Sequence, residues 1–144
     1  MLDAYAAGMV DADGSIIIGK INWRMNDTNH RTPDYKVSVQ VTNVYRPMLD
    51  VLAATYGGTV QRKPLSTGSF FSRREHFNWS VTGQKAVEML VRLHPYLLVK
   101  KDQSWLAQEF WAQRTRGYGK PTSPEECALR EGFYLAMKQL KGTN

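Results

Sequence analysis

The spacing of hydrophobic and polar positions predicts a rapid alternation of helices and strands. Between Tyr35 and Asn43, Val37, Val39 and Val41 alternate with Lys36, Ser38, Gln40 and Thr42, the period of two expected of a strand with one buried face. His76–Thr82 repeats that alternation, with Phe77, Trp79 and Val81 on one side. Small and apolar residues crowd the stretch from Asp3 to Asp13, which reads as a short helix capped by Asp3 and stopped by Gly14. An Ile-rich strand from Ser15 to about Arg24 follows, then a polar loop from Met25 to Pro33. Pro47 opens a second helix carrying Met48, Leu49, Leu52 and Tyr56, which Gly57 and Gly58 close. Thr59–Lys63 is a short strand, and a connection from Pro64 to Phe71 leads to the His76 strand. Gln84–Leu93 carries Ala86, Val87, Leu90 and Leu93 as a helical face, Pro95 interrupts, and a helix resumes from Gln103 to Arg114. Ser123, Pro124 and Glu126 form the start signal of a terminal helix bearing Leu129, Phe133, Ala136 and Leu140. The order is helix, two strands, helix, two strands, then helices, an α+β layout with helices packed on one face of an antiparallel sheet.

Such a sheet leaves its second face free, and the residues assigned to that face are polar and basic. They are Lys36, Ser38, Gln40 and Thr42 on the second strand, Gln61 and Lys63 on the third, and His76, Asn78 and Ser80 on the fourth. One strand of this kind is ordinary solvated surface. Repetition over several strands suits a twisted sheet lying along the DNA major groove, where Gln, Asn, Ser, Lys and Arg read base edges and other cations meet phosphates. The first strand breaks the pattern, because a strict period of two from Ile16 and Ile18 carries Lys20, Asn22 and Arg24 into the core. A bulge near Gly19 is therefore expected, turning Ile21 and Trp23 inward and Lys20, Asn22 and Arg24 toward a ligand.

Composition narrows the classes. Hydrophobic residues make up 42% and charged residues 22% of the 144 positions, as in one ordinary globular domain spanning residues 1–144. The single cysteine excludes an intrachain disulfide, and no Cys/His grouping has zinc-site spacing. No apolar run approaches the ~20 residues of a membrane helix, so no membrane partner is expected, and an intracellular setting fits, bacterial or organellar. Nineteen Lys+Arg against thirteen Asp+Glu leave a formal charge of +6, which suits a polyanionic partner.

Chemistry is densest between Tyr5 and Ser15. Ala4, Gly8 and Ala12 recur every four residues, so one face of the first helix carries almost no side-chain bulk and another helix can approach closely. Leu2, Tyr5, Met9 and Val10 are expected to face the core. Asp13 stands at the helix C-terminus, where the free carbonyls, including that of Ala12, reinforce its carboxylate in attracting a cation. A hard divalent ion such as magnesium fits one or two carboxylates completed by water and phosphate oxygens. A copy of this helix related by a twofold axis brings two Asp13 carboxylates together, so two strands of a duplex can be cut by one symmetric arrangement. Taken bare, Asp-x-Asp-Gly is a turn or a cap, and it lacks the downstream Glu of an EF-hand.

The run Ala6–Gly14, AAGMVDADG, resembles the LAGLIDADG signature, with Ala for the first Leu and Met-Val for the next Leu-Ile. The GSII that follows it, the VSVQVTN strand and the LHPYLLVKK segment are similar to that homing endonuclease family too. The resemblance implies an αββαββα fold whose saddle-shaped sheet sits on double-stranded DNA, and, with one signature copy, a homodimer that cleaves a near-palindromic target. It implies magnesium as cofactor, calcium supporting binding without cleavage, and no small-molecule cofactor. By the same resemblance Asp13 is the metal-binding acid with the Ala12 carbonyl beside it, Asn43 orders active-site water, and Lys100, with Lys101 as competitor, is the pocket lysine. Arg46 matches a second basic residue at the site.

Other residues have plainer readings. Trp105, Phe110, Trp111, Phe133 and Tyr134 fall at helical spacing and read as core packing. His30 and His94 read as loop and helix-end residues, Arg73 and Arg74 as phosphate contacts or a solvated pair, and Arg114 to Arg116 as an exposed loop. Two other functions suit the same fold: a non-cleaving DNA-binding regulator and an RNA-binding intron maturase.

Overall fold

A computed structural model of the chain describes residues 2–22, 33–63, 75–114 and 123–142. Its elements are α1 (Leu2–Asp13), β1 (Gly14–Ile21), β2 (Asp34–Asn43), α2 (Arg46–Tyr56), β3 (Thr59–Lys63), β4 (His76–Thr82), α3 (Gln84–Leu93), a 3-10 turn (His94–Tyr96), α4 (Lys101–Ala112) and α5 (Pro124–Leu140). The strands form one antiparallel sheet in the order β1-β2-β4-β3. Two helix-hairpin units, α1-β1-β2 and α2-β3-β4, meet where β2 pairs with β4, and α1 to α5 cover one face. The α+β fold read from the periodicity is the observed one.

That face is the core. Val37, Val39 and Val41 from β2, Ile16 and Ile18 from β1, and Trp79 and Val81 from β4 are all buried, and they pack with Leu49, Leu52, Leu90, Leu93 and Phe110 from the helices. Burying each such side chain stabilises the fold by roughly 1.5–3 kcal/mol before chain entropy is counted. Trp79 keeps its one polar group paired, its indole N–H donating to the Gly57 carbonyl at 2.9 Å. Gly58 has a positive φ of 85°, and a Cβ there would stand 2.2 Å from the Ser80 carbonyl oxygen, so the tight passage from α2 into β3 requires glycine. Gly14 is required for closeness instead, because a Cβ would meet the Val10 Cα at 2.7 Å and the Gln40 oxygen at 3.1 Å where α1 crosses β2. At α5 the predicted cap is present, Ser123 Oγ accepting from the Glu126 N–H at 3.2 Å.

Three expectations are corrected. The β1–β2 register runs without a bulge from Gly14 opposite Val41 to Ile21 opposite Asp34. Lys20 therefore shares the helix side with Ile16 and Ile18, and Ile21 is turned to the open face, 37% exposed. The core side tolerates this lysine because α5 supplies partners: Nζ lies 2.9 Å from Glu131 and 6.0 and 5.8 Å from the ring centres of Tyr35 and Tyr134. The second correction is on α1, whose inward face is Ala6, Ala7, Met9 and Val10, while Tyr5 is 58% exposed and donates to the Met48 sulfur. Helix and sheet approach so closely there that methyl groups fill the gap. The third is Trp105, exposed on α4 rather than packed in the core. Trp23, Arg24, His30, Arg73, Arg74 and Arg116 lie outside the described residues.

Candidate nucleic-acid interface and catalytic centre

Strand register determines what the free face of the sheet presents. Lys36, Ser38, Gln40 and Thr42 stand on it across from Gly19, Ile17 and Ser15 of β1 and from Thr82, Ser80 and Asn78 of β4, and β3 adds Gln61, Lys63 and Thr59 beside Asn78, His76 and Ser80. The nine residues assigned there from β2, β3 and β4 are thus brought together on one surface. Sequence reasoning missed Ser15, Ile17, Thr59 and Thr82, each of which follows from the same alternation once the register is known. Lys20 is not on this face, and Asn22 is exposed just past the end of β1. Within the face Thr42 donates to Asn78 Oδ1 at 2.8 Å, which orients the Asn78 amide. Ser38, at the middle of the sheet, is only 7% exposed.

A second cluster forms where α1 ends. Asp13, the last residue of α1, is exposed, and its carboxylate meets the Asn43 amide at 3.5 Å. The Asn43 oxygen is already used, accepting the Tyr45 N–H at 2.9 Å, so the orientation of this amide is fixed with its NH2 toward Asp13. From the other side comes the segment between the 3-10 turn and α4. Lys100 Nζ donates to the Asp11 carbonyl at 2.6 Å, one of the carbonyls that α1 leaves without an intrahelical partner. Lys101 is exposed in the first turn of α4, so Lys100 is the lysine that reaches α1. Arg46 is not drawn in: it pairs with Asp50 at 3.6 Å and lies 5.5 Å from the Phe77 ring centre.

Asp11 was missed as a site residue. Its carboxylate accepts the backbone N–H of Leu98 at 2.8 Å and of Lys100 at 3.0 Å. Burial pushes the carboxyl up, and the N–H groups of Leu98, Lys100 and Val99 with the Lys100 charge outweigh it and hold it below the usual range. The Asp-Ala-Asp spacing was the available signal, since it puts two carboxylates about 200° apart around a helix. The face expected to be slim is open: Ala4, Gly8 and Ala12 are exposed, and, outside the backbone of α1 itself, no atom of the described residues lies within 4 Å of a Cβ built on Gly8. Near it Leu98 and Val99 are 87% and 74% exposed.

No family model and no curated protein matches the sequence. Solved structures do match. The homing endonuclease I-CvuI, in complex with its target in the presence of calcium, superposes with a TM-score of 0.75 at 21% identity over 96% of this chain and 81% of that one. The archaeal intron-encoded homing endonuclease I-Vdi141I, complexed with DNA, gives 0.74 at 14% identity over 99% and 86%. The LAGLIDADG homing endonuclease I-GzeII with its DNA target gives 0.61 at 14% identity over 94% of this chain and 43% of that one. The chain has the fold of the LAGLIDADG homing endonucleases. Within that fold the free sheet face and the α1 C-terminus are contiguous, since β1 follows α1 directly and Asn43 closes β2. Among the described residues no helix is long and apolar enough to cross a membrane.

Proposed function

We propose that this protein is a site-specific endonuclease that binds duplex DNA on the open sheet face and hydrolyses one phosphodiester in each strand as a homodimer. The observation that carries the reading is the meeting of Asp13 and Asn43 where α1 ends, with the Lys100 ammonium anchored on the Asp11 carbonyl of the same helical turn, at the edge of a polar, basic sheet face. Two features support the paired state: the exposed Ala4–Gly8–Ala12 face, and the fact that this fold unit fills 81% of the I-CvuI chain but 43% of I-GzeII, as expected if the unit also occurs twice in one chain. A twofold axis along that face matches a near-palindromic target.

The donor set fits a hard divalent cation. Among the described residues no three His, Cys, Asp or Glu side chains cluster, so the chain offers a half-site: the exposed Asp13 carboxylate and the free carbonyl of Ala12. Magnesium accepts such a set when waters, phosphate oxygens and a second copy complete it. Bound there, it supplies Lewis-acid stabilisation of charge on the scissile phosphate. The protein's own groups do the rest. Asn43 holds the Asp13 carboxylate and, with its amide orientation fixed, a water beside it. Lys100, anchored to the end of α1, places a positive charge where the leaving oxygen gathers negative charge. In the reaction a water oxygen bonds to phosphorus, one ester P–O bond breaks, and the departing oxygen takes up a proton.

Incubating the protein with a library of randomised duplexes in magnesium or calcium, beside Asp13→Asn, tests the reading. Double-strand breaks in magnesium, binding without breaks in calcium, and loss of cleavage with retained binding in Asp13→Asn are expected. Tight binding with no cleavage of any duplex would instead make this a DNA-binding protein on the same fold.

A further inference from the structure

The first aspartate of the signature has its own task. Asp11 Oδ2 accepts the N–H of Leu98, its Oδ1 accepts the N–H of Lys100, and its main-chain oxygen accepts Lys100 Nζ. Two N–H groups from one short segment, those of Leu98 and Lys100, fold around one anion in the manner of a backbone nest, here filled by a carboxylate reached across 87 positions of sequence. Lys100 is thereby held at its backbone and at its tip, and its own carbonyl is used by the Ser104 N–H at 2.9 Å. Leu97, just before this segment, is fully buried in the core, whereas the side chains of Leu98 and Val99 are 87% and 74% exposed, so the packing anchor ends one residue short of the clamped N–H groups.

We infer that Asp11 is a positioning residue for cleavage: it clamps the Leu98–Lys100 segment to the end of α1 and so sets where the Lys100 ammonium stands. The inference rests on the endonuclease reading and deepens it, dividing the Asp-Ala-Asp step into a clamp and a ligand-binding carboxylate. Asparagine at 11 keeps the shape but turns an NH2 toward one of the N–H donors, which breaks one arm of the nest.

A double-mutant cycle on cleavage is the test, using Asp11→Asn, Lys100→Ala and the pair, with DNA affinity measured in calcium. If Asp11 acts through Lys100, Asp11→Asn lowers kcat at least ~10-fold with KM and DNA affinity within about twofold, and the pair is no slower than Lys100→Ala alone. Multiplying effects in the pair, or full activity in Asp11→Asn, overturns the inference. Should Asp11→Asn fail to fold, or the wild-type protein cleave nothing, amide hydrogen exchange followed by NMR on the wild type still decides the clamp. Leu98 and Lys100 N–H groups protected from exchange support it, and exchange at the rate of free, solvated amides contradicts it. Absence of cleavage by the wild type counts against the function, not against the clamp.

Discussion

Asp11 and Asp13 lie two residues apart on the last turn of α1 and have opposite fates. Asp11 turns inward, is half-buried, and has its acceptor capacity taken up by main-chain N–H groups of the 98–100 segment. Asp13 is exposed, and its carboxylate stands 3.5 Å from the Asn43 amide. Both carboxylates sit at the negative end of a helix, which costs about 0.3–1 kcal/mol each where nothing compensates. Asp11 is compensated by its hydrogen bonds. Among the described residues Asp13 has only the long contact from the oriented Asn43 amide to offset it.

The largest effect that sharpens this contrast is expected at position 13. Asp13→Asn should lower cleavage by about three orders of magnitude or more, yet leave the melting temperature unchanged or slightly raised, because removing the charge relieves the helix end. A clear fall in thermal stability on calorimetry would mean that Asp13, like Asp11, serves the fold. Trp79 and Gln61 extend the comparison to the two sides of the sheet, since Val60 pairs directly with Trp79 and Gln61 is the next residue along β3, so their side chains point opposite ways. Trp79→Ala should cost about 3–5 kcal/mol in denaturant unfolding. Gln61→Ala should change stability by less than about 0.5 kcal/mol while weakening specific DNA binding by about 1–3 kcal/mol; equal losses of stability in both variants would erase the distinction between the faces.

Much of this was legible in the chain. The bounds of β3, β4 and α3 followed from alternation and glycine placement, and the polar face of β2 and β4 followed from the same period of two. The register of β1 did not, because Ile16, Ile17 and Ile18 are apolar on both sides and the partner that lets Lys20 sit on the helix side is Glu131, in the last helix. Asp11 escaped notice for the same reason: its partners are main-chain groups in a segment with no regular structure, and no side-chain pattern announces them. The inward use of Ala6 and Ala7 reflects a close helix-sheet approach, whereas periodicity favours the larger Tyr5.

The smallest expected effects are on stability against pH. Glu131 is held below its ordinary 4.5 by the Lys20 and Tyr35 hydrogen bonds, and Asp3 below 3.8 by its hydrogen bond from Tyr56, despite partial desolvation, with Arg92 adding to it. A depressed carboxyl contributes fully above its unfolded value and loses that contribution as pH falls through the folded one, so unfolding should become easier below about pH 4. The same networks hold Tyr35 and Tyr56 above their ordinary 10.0, by burial first and then by the carboxylates they donate to. That contribution is complete below pH 10 and fades above it. Glu131→Gln should flatten both limbs in a melting series over pH, and unchanged limbs would show that the Lys20–Glu131–Tyr35 network adds nothing to stability.

The central claim is that two chains share one duplex and that each supplies the Asp13 used on one strand. Mixed dimers assembled from one wild-type and one Asp13→Asn subunit, purified by two different tags, test this directly on a supercoiled plasmid carrying the target. Magnesium should convert the plasmid to the nicked circle and stop there, with strand choice following the wild-type subunit on an asymmetric site. Linear plasmid produced at the wild-type rate, or a single chain sufficient for both breaks, would contradict it.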